Sequence, residues 1–241
     1  MIVVVPMAGR GSRFSNEGYN TPKPLINVGG KPMIYWSLKS LEGVRYEKII
    51  FVALREHQNR YGLCEILTNC IGDSFELVLI DEVTEGQLCT VLMARNYFER
   101  YKDLLVMASD SYIRSSIGKE IEEKEKDVRG IISVSNLPGE MWSFAKIDCN
   151  GDVVEVAEKQ RISNNASTGI YYFSDINEFV RISDEIIANE EKIRGEYFVI
   201  PVYQKMIKKN EKVKISLAEE MWDMGTPESK LRFEKHLKQK L

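Results

Sequence analysis

At 241 residues, with 44 % hydrophobic and 29 % charged side chains, the chain suits one large α/β domain or two small ones, burying roughly 70–75 % of its unfolded surface. A formal net charge of −3 argues against a broad basic face, so nucleic acid is not an expected partner and any phosphate-bearing ligand must be met by local cations. The longest apolar runs, 49–54 and 104–108, are far short of a membrane span, and the first residues lack the basic start of a signal peptide, so a cytoplasmic protein without a membrane partner is expected.

Four β-favouring residues, Ile2 to Val5, predict a strand feeding a loop with Gly9 and Gly11, Arg10 and Arg13, and then Lys23 between Pro22 and Pro24. Glycine lets amide N–H groups approach phosphate oxygens with no Cβ in the way. Two familiar nucleotide loops are excluded. Phe14 stands where a dinucleotide fingerprint needs a small residue, and no acidic residue follows about 20 positions on. Gly30-Lys31 is followed by Pro32 rather than the Ser or Thr of a P-loop.

Next in order come a helix with Lys31-Pro32 in its first turn, a strand at 49–54, a helix over about 56–71 and a strand at 75–80. A helix at 87–101 and a strand at 104–108 follow. Strands that are unbroken apolar runs, alternating with helices, predict a largely parallel sheet covered on both faces. Beyond Asp110 the pattern changes to a charged helical stretch at 119–126 and shorter strands at 130–135, 143–148, 153–156 and 168–173. Helices return at about 176–189 and 197–209, with a strand at 213–217 and a last helix opened by Thr226 as N-cap and Pro227. No linker or repeat interrupts the chain, so residues 1–241 are expected to form a single domain. Its halves meet near residue 110.

The cysteines at 64, 70, 89 and 149 lack Cys-x-x-Cys spacing and nearby histidines, which argues against zinc and for reduced, mostly buried thiols. His57 and His236 read as surface or helix-end residues. Asp110, directly after the 104–108 strand, stands where open α/β sheets gather ligands, although aspartate is also common in caps and turns. Helix capping accounts for Gly225, Thr226 and Pro227, but not for Asp223 just before them. In Thr84-Glu85-Gly86-Gln87, the glutamine amide offers a donor and an acceptor to a base edge, and the same turn can start a helix.

Gly-x-Gly-x-Arg after an N-terminal strand, followed by Pro-Lys-Pro, resembles the nucleotidyltransferases that join a nucleoside triphosphate to a sugar 1-phosphate or another phosphorylated small molecule. The resemblance implies a three-layer α/β/α sandwich with a Rossmann-like, mixed and mostly parallel sheet. It implies nucleotide binding by Met7, Ala8, Gly9, Gly11, Ser12, Arg13, Lys23, Glu85, Gly86, Gln87 and Ser109, with Arg13, Lys23 and Asp110 in catalysis. Asp110 and Asp223 would hold magnesium, and Glu158, Lys159, Thr168, Gly169 and Tyr171 would face the acceptor in the second half. Gln160 replaces the proline that commonly follows Glu-Lys in sugar-specific members. Members using CTP or UTP for surface polysaccharide precursors are the nearest in pattern. Two other functions fit such a scaffold: a nucleotide-sugar-dependent glycosyltransferase, whose Asp-x-Asp motif Ser109-Asp110-Ser111 does not supply, and a non-catalytic nucleotide-binding regulator.

Overall fold

The computed structural model describes residues 1–239. The chain begins with β1 (Ile2–Pro6), a single helical turn α1 (Ser12–Ser15), and a small hairpin of β2 (Asn27–Val28) and β3 (Lys31–Pro32). Then follow α2 (Met33–Leu38), β4 (Lys48–Leu54), α3 (Arg55–Tyr61), α4 (Leu63–Ile71), β5 (Phe75–Ile80), α5 (Gln87–Leu92) and β6 (Leu104–Met107). The second half comprises β7 (Ser111–Arg114), α6 (Ile117–Glu123), β8 (Val128–Ser135), β9 (Ser143–Ile147), β10 (Val153–Glu158) and β11 (Ala166–Phe173). It closes with α7 (Ile176–Ala188), α8 (Ile200–Lys208), β12 (Lys212–Leu217), β13 (Glu220–Asp223) and α9 (Pro227–Gln239).

The main sheet runs β5-β4-β1-β6-β11-β8-β12, with the β9–β10 hairpin joined to the start of β11. β1 pairs in parallel with β4 and β6, and β8 with β12, while β11 runs antiparallel between β6 and β8. The central strands are apolar on both faces because both are covered. Ile2, Val4, Ile50, Val52 and Val106 pack against α5, α7 and α8; Val3, Val5, Ile49, Phe51 and Leu105 pack against α2, α4 and α6. The result is the expected three-layer sandwich. A smaller aromatic core of Phe14, Met33, Met224 and Phe233, flanked by Trp36, Tyr112 and Trp222, ties α9 to the loop after β1. No described helix is long and apolar enough to cross a membrane.

Several local expectations change. The 56–71 helix is two helices meeting at Gly62, whose φ of 62° ends one and caps the next. The 87–101 helix stops at Leu92 and resumes as a 3-10 segment at Arg95–Arg100. Lys31 and Pro32 belong to β3 instead of a helical turn. α8 starts at Ile200 because the backbone of Tyr197 is engaged elsewhere: its N–H donates to Glu85 O at 3.0 Å and its carbonyl accepts from Leu88 N–H at 3.1 Å. Cys64 and Cys149 are exposed and the other two thiols half-buried, so none is a core residue. His57 is buried, and His236 stacks on Trp222 with ring centroids 4.2 Å apart.

Candidate active site

A cavity of about 640 Å³ opens where β1 and β6 end, as expected for an open α/β sheet. Its walls are the loop after β1, the turn before α5, the segment after β6, and residues from the stretch preceding α8.

The loop after β1 supplies Ala8, Gly9, Gly11 and Ser12 to the cavity. Met7 does not join them: its side chain is buried in the core and its N–H donates to Val52 O at 2.8 Å, which fixes where the loop leaves the sheet. Gly11, at φ 61°, caps α1 and its carbonyl accepts from Phe14 N–H at 2.9 Å. Lys23 opens a 3-10 turn, Lys23–Leu25, next to the buried Pro24, and its Nζ donates to Asp110 Oδ2 at 2.5 Å. Arg13 is exposed on α1 and is not part of this cavity's wall, yet its charge acts on Asp110.

Asp110 and Asp223 are brought together by a ribbon absent from the sequence-derived elements. β7 and β13 pair antiparallel with Asp223 opposite Ser111, and Met224 N–H donates to Asp110 O at 2.8 Å. A Cβ placed on Gly225 would stand 2.9 Å from Asp223 Oδ1 and 3.2 Å from Asp110 Oδ2, so both carboxylates crowd one point. Burial is the largest influence on Asp110 and pushes its carboxyl up, but the charge and hydrogen bond of Lys23, joined by Arg13, outweigh it and hold the group below the ordinary range. Asp223 is raised, by burial first and the negative charge of Asp110 second. The pair is thus short of positive charge on the Asp223 side, an arrangement that suits a divalent cation. No third His, Cys, Asp or Glu completes a metal cluster among the described residues. Two carboxylates with phosphate oxygens and water are a donor set that magnesium accepts.

On the opposite wall, Gly86 begins α5 and both Thr84 and Thr90 hydroxyls bond to its carbonyl, at 2.9 and 3.1 Å. Gln87 faces the cavity with its amide unbonded among the described residues. The Glu85 carboxylate is drawn into an ion pair with Lys192 at 2.6 Å. Ser109, buried after β6, also lines the cavity.

The predicted acceptor residues divide. Glu158 ends β10 and accepts a short hydrogen bond from Ser143, and Tyr171 donates to Ser143 Oγ at 3.3 Å. Burial raises the Glu158 carboxyl, with Glu196 adding to the effect, and burial followed by Glu158 pushes the Tyr171 hydroxyl up to about 12. Lys159, at φ 53°, holds its Nζ 4.5 Å from the centre of the Phe198 ring, and Phe198 lines the cavity. Thr168 is buried and turned away, donating to Ser133 Oγ at 2.8 Å, so it braces β11 against β8. Gly169 accepts from Ala108 N–H at 2.9 Å and anchors the segment that carries Asp110.

Gly195, Glu196 and Phe198 also line the cavity and were not anticipated. The signal was Arg194-Gly195: at φ 51° and 84° they form a two-residue hairpin turn closed by the Ile193–Glu196 bridge.

A doubly wound sheet with a glycine-bearing cationic loop after its first strand, and paired acids beside the resulting cleft, defines a nucleotide-binding α/β protein. The family model described as Nucleotidyl transferase matches residues 2–240, and the chain belongs to that family. It is similar to the bifunctional protein GlmU of Methanococcus aeolicus, 25 % identical over 231 residues that cover 94 % of this chain and 52 % of that protein. It is also similar to the low-salt glycan biosynthesis nucleotidyltransferase Agl11 of Haloferax volcanii, 23 % identical over 93 % of this chain and 62 % of that one. The chain therefore spans about half the length of the GlmU relative. Among solved structures, a nucleoside-diphosphate-sugar pyrophosphorylase from Vibrio cholerae superposes with a TM-score of 0.83 and 25 % identity, covering 97 % of this chain and 99 % of that chain. The inositol-1-phosphate CTP transferase of T. maritima shares the fold, with a TM-score of 0.75 and 17 % identity over 95 % of this chain and 90 % of its own.

Proposed function

We propose that the protein transfers a nucleotidyl group from a nucleoside triphosphate, CTP or UTP by preference, to a sugar 1-phosphate or similar phosphorylated small molecule, as a step toward surface polysaccharide. The observation that carries this reading is the meeting of Lys23 and Asp110 on the wall of a cavity large enough for a nucleotide, with Asp223 beside Asp110. The similarity to the nucleoside-diphosphate-sugar pyrophosphorylase of Vibrio cholerae supports a sugar-phosphate acceptor.

An acceptor phosphate oxygen attacks the α-phosphorus in line, the bond to the bridging oxygen breaks, and pyrophosphate leaves with its electron pair. Such chemistry needs positioning and compensation of charge more than a general base. Residues to about 110 bind the nucleotide: the amides near Gly11 and Ser12 face the phosphates, Lys23 offsets charge at the α-phosphate, Arg13 steadies the outer phosphates and Gln87 reads the base. Lys159 and Glu158, in the second half, receive the acceptor. Magnesium, when held by Asp110 and Asp223, supplies neutralisation of phosphate charge.

The test is pyrophosphate release from magnesium, each common nucleoside triphosphate and a panel of phosphorylated acceptors. Release is expected only with CTP or UTP plus a phosphorylated acceptor. Nucleotide binding with no release from any pair would leave a nucleotide-binding regulator instead.

A further inference from the structure

Lys159 stands in left-handed backbone at φ 53°, where a long side chain is uncommon unless its surroundings impose it. Here they do. Its N–H donates to Trp142 O at 2.9 Å, which fixes one end of the segment 137–142. Two residues on, the Arg161 guanidinium fixes the other end, donating from Nη1 to Leu137 O at 2.8 Å and to Gly139 O at 3.0 Å. The segment is also tied to itself, because Trp142 Nε1–H donates to Pro138 O at 3.0 Å.

Arg161 is placed as a clamp. No carboxylate pairs with it among the described residues; its Nη2 donates to Asn164 Oδ1 at 3.0 Å, and the guanidinium carbon lies 5.4 Å from the centre of the buried Phe144 ring. A planar fork of donors holds carbonyls in a fixed geometry that a lysine ammonium does not. Arg161 takes no part in the wall of the main cavity, so it acts through what it holds. Ser143, next to Trp142, donates to Glu158, and Lys159 Nζ stands over Phe198.

The residue between Lys159 and Arg161 decides whether this turn can form. A proline pushes the residue before it toward extended backbone, so proline at position 160 would expel Lys159 from its left-handed conformation. Gln160 is exposed, and neither its side chain nor its N–H enters a hydrogen bond among the described residues. What it supplies is backbone freedom.

We propose that Gln160 and Arg161 are positioning residues for the acceptor: Gln160 permits the left-handed turn, Arg161 locks it, and together they set where the Lys159 ammonium meets the acceptor phosphate. The inference deepens the proposed nucleotidyl transfer and rests on it.

Arg161→Ala and Gln160→Pro test this with two readouts. In steady-state pyrophosphate release, KM for the phosphorylated acceptor is expected to rise about tenfold in each variant, with kcat and KM for the nucleotide unchanged. Independently of turnover, reductive methylation with isotope-labelled formaldehyde places a magnetic-resonance probe on each lysine Nζ. The Lys159 signal, assigned by its loss in Lys159→Arg, is expected upfield in wild type because it stands over the Phe198 ring, and among the solvated lysines in both variants. Folded variants with a wild-type acceptor KM overturn the proposal, and so does an unmoved Lys159 signal. An equal rise in both KM values overturns it as well, since a general loosening of the fold would give that result. If wild type releases no pyrophosphate from any pair, the transferase reading falls, while the Lys159 signal still decides whether the clamp exists.

Discussion

Replacing Gly86 with alanine tests whether the turn before α5 and the stretch before α8 form one continuous wall. Gly86 has a φ of 149°, and a Cβ there would fall 2.3 Å from Tyr197 O and 2.4 Å from Tyr197 N. Both are backbone atoms, so no side-chain rotation relieves the clash. The two segments must part, breaking the bonds from Tyr197 N–H to Glu85 O and from Leu88 N–H to Tyr197 O. Two backbone hydrogen bonds at about 1 kcal/mol each, with an overpacking cost of about 1–3 kcal/mol, give a destabilisation of roughly 3–5 kcal/mol. Urea denaturation should show a lower midpoint with an unchanged slope. Because Gln87 is the next residue, KM for the nucleotide should rise as well. A variant with wild-type midpoint and KM would refute the idea of a shared wall.

Lys23→Ala and Asp110→Ala should keep the fold, as judged by circular dichroism, and each should lose turnover by about 100-fold or more, the scale of removing one preorganised charge. Tyr203, whose buried hydroxyl donates to Tyr172 O at 2.8 Å and Ile131 O at 3.1 Å, should lose about 1–2 kcal/mol as Tyr203→Phe in the same denaturation assay. Phe233→Ala should cost about 3–5 kcal/mol, since Phe233 is fully buried, and hydrogen exchange should quicken at the amides around Phe14, its partner in the small aromatic core.

The layered architecture was legible because β1, β4 and β6 are central parallel strands, and burial on both faces writes itself as unbroken apolar sequence. Thr226 and Pro227 marked the start of α9 for an equally local reason: Thr226 Oγ1 accepts from Ser229 N–H at 3.1 Å. The β7–β13 ribbon was not legible, since its strands are four residues each, half-polar, and paired across about half the chain. Asp223 could be set beside Asp110 only through resemblance to a family, never from its own neighbours. Thr168 and Met7 show the converse limit. Motif position marked them for ligands, but the packing of β11 on β8 and of β1 on β4 had already engaged their polar groups. Phe198 escaped notice because its exposure to the cavity depends on Tyr197 docking against Glu85, a contact between distant segments.

The aromatic patch joining Phe14 to Phe233 has a consequence for biogenesis. The loop that carries Phe14 is synthesised more than two hundred residues before Phe233, which shares its core. Until α9 emerges, Phe14 has only its near neighbours in the chain, Ile26, Val28 and Met33, as apolar backing. The loop should therefore reach its final order only late in translation, with α9 acting as a latch on a core whose other members were made long before.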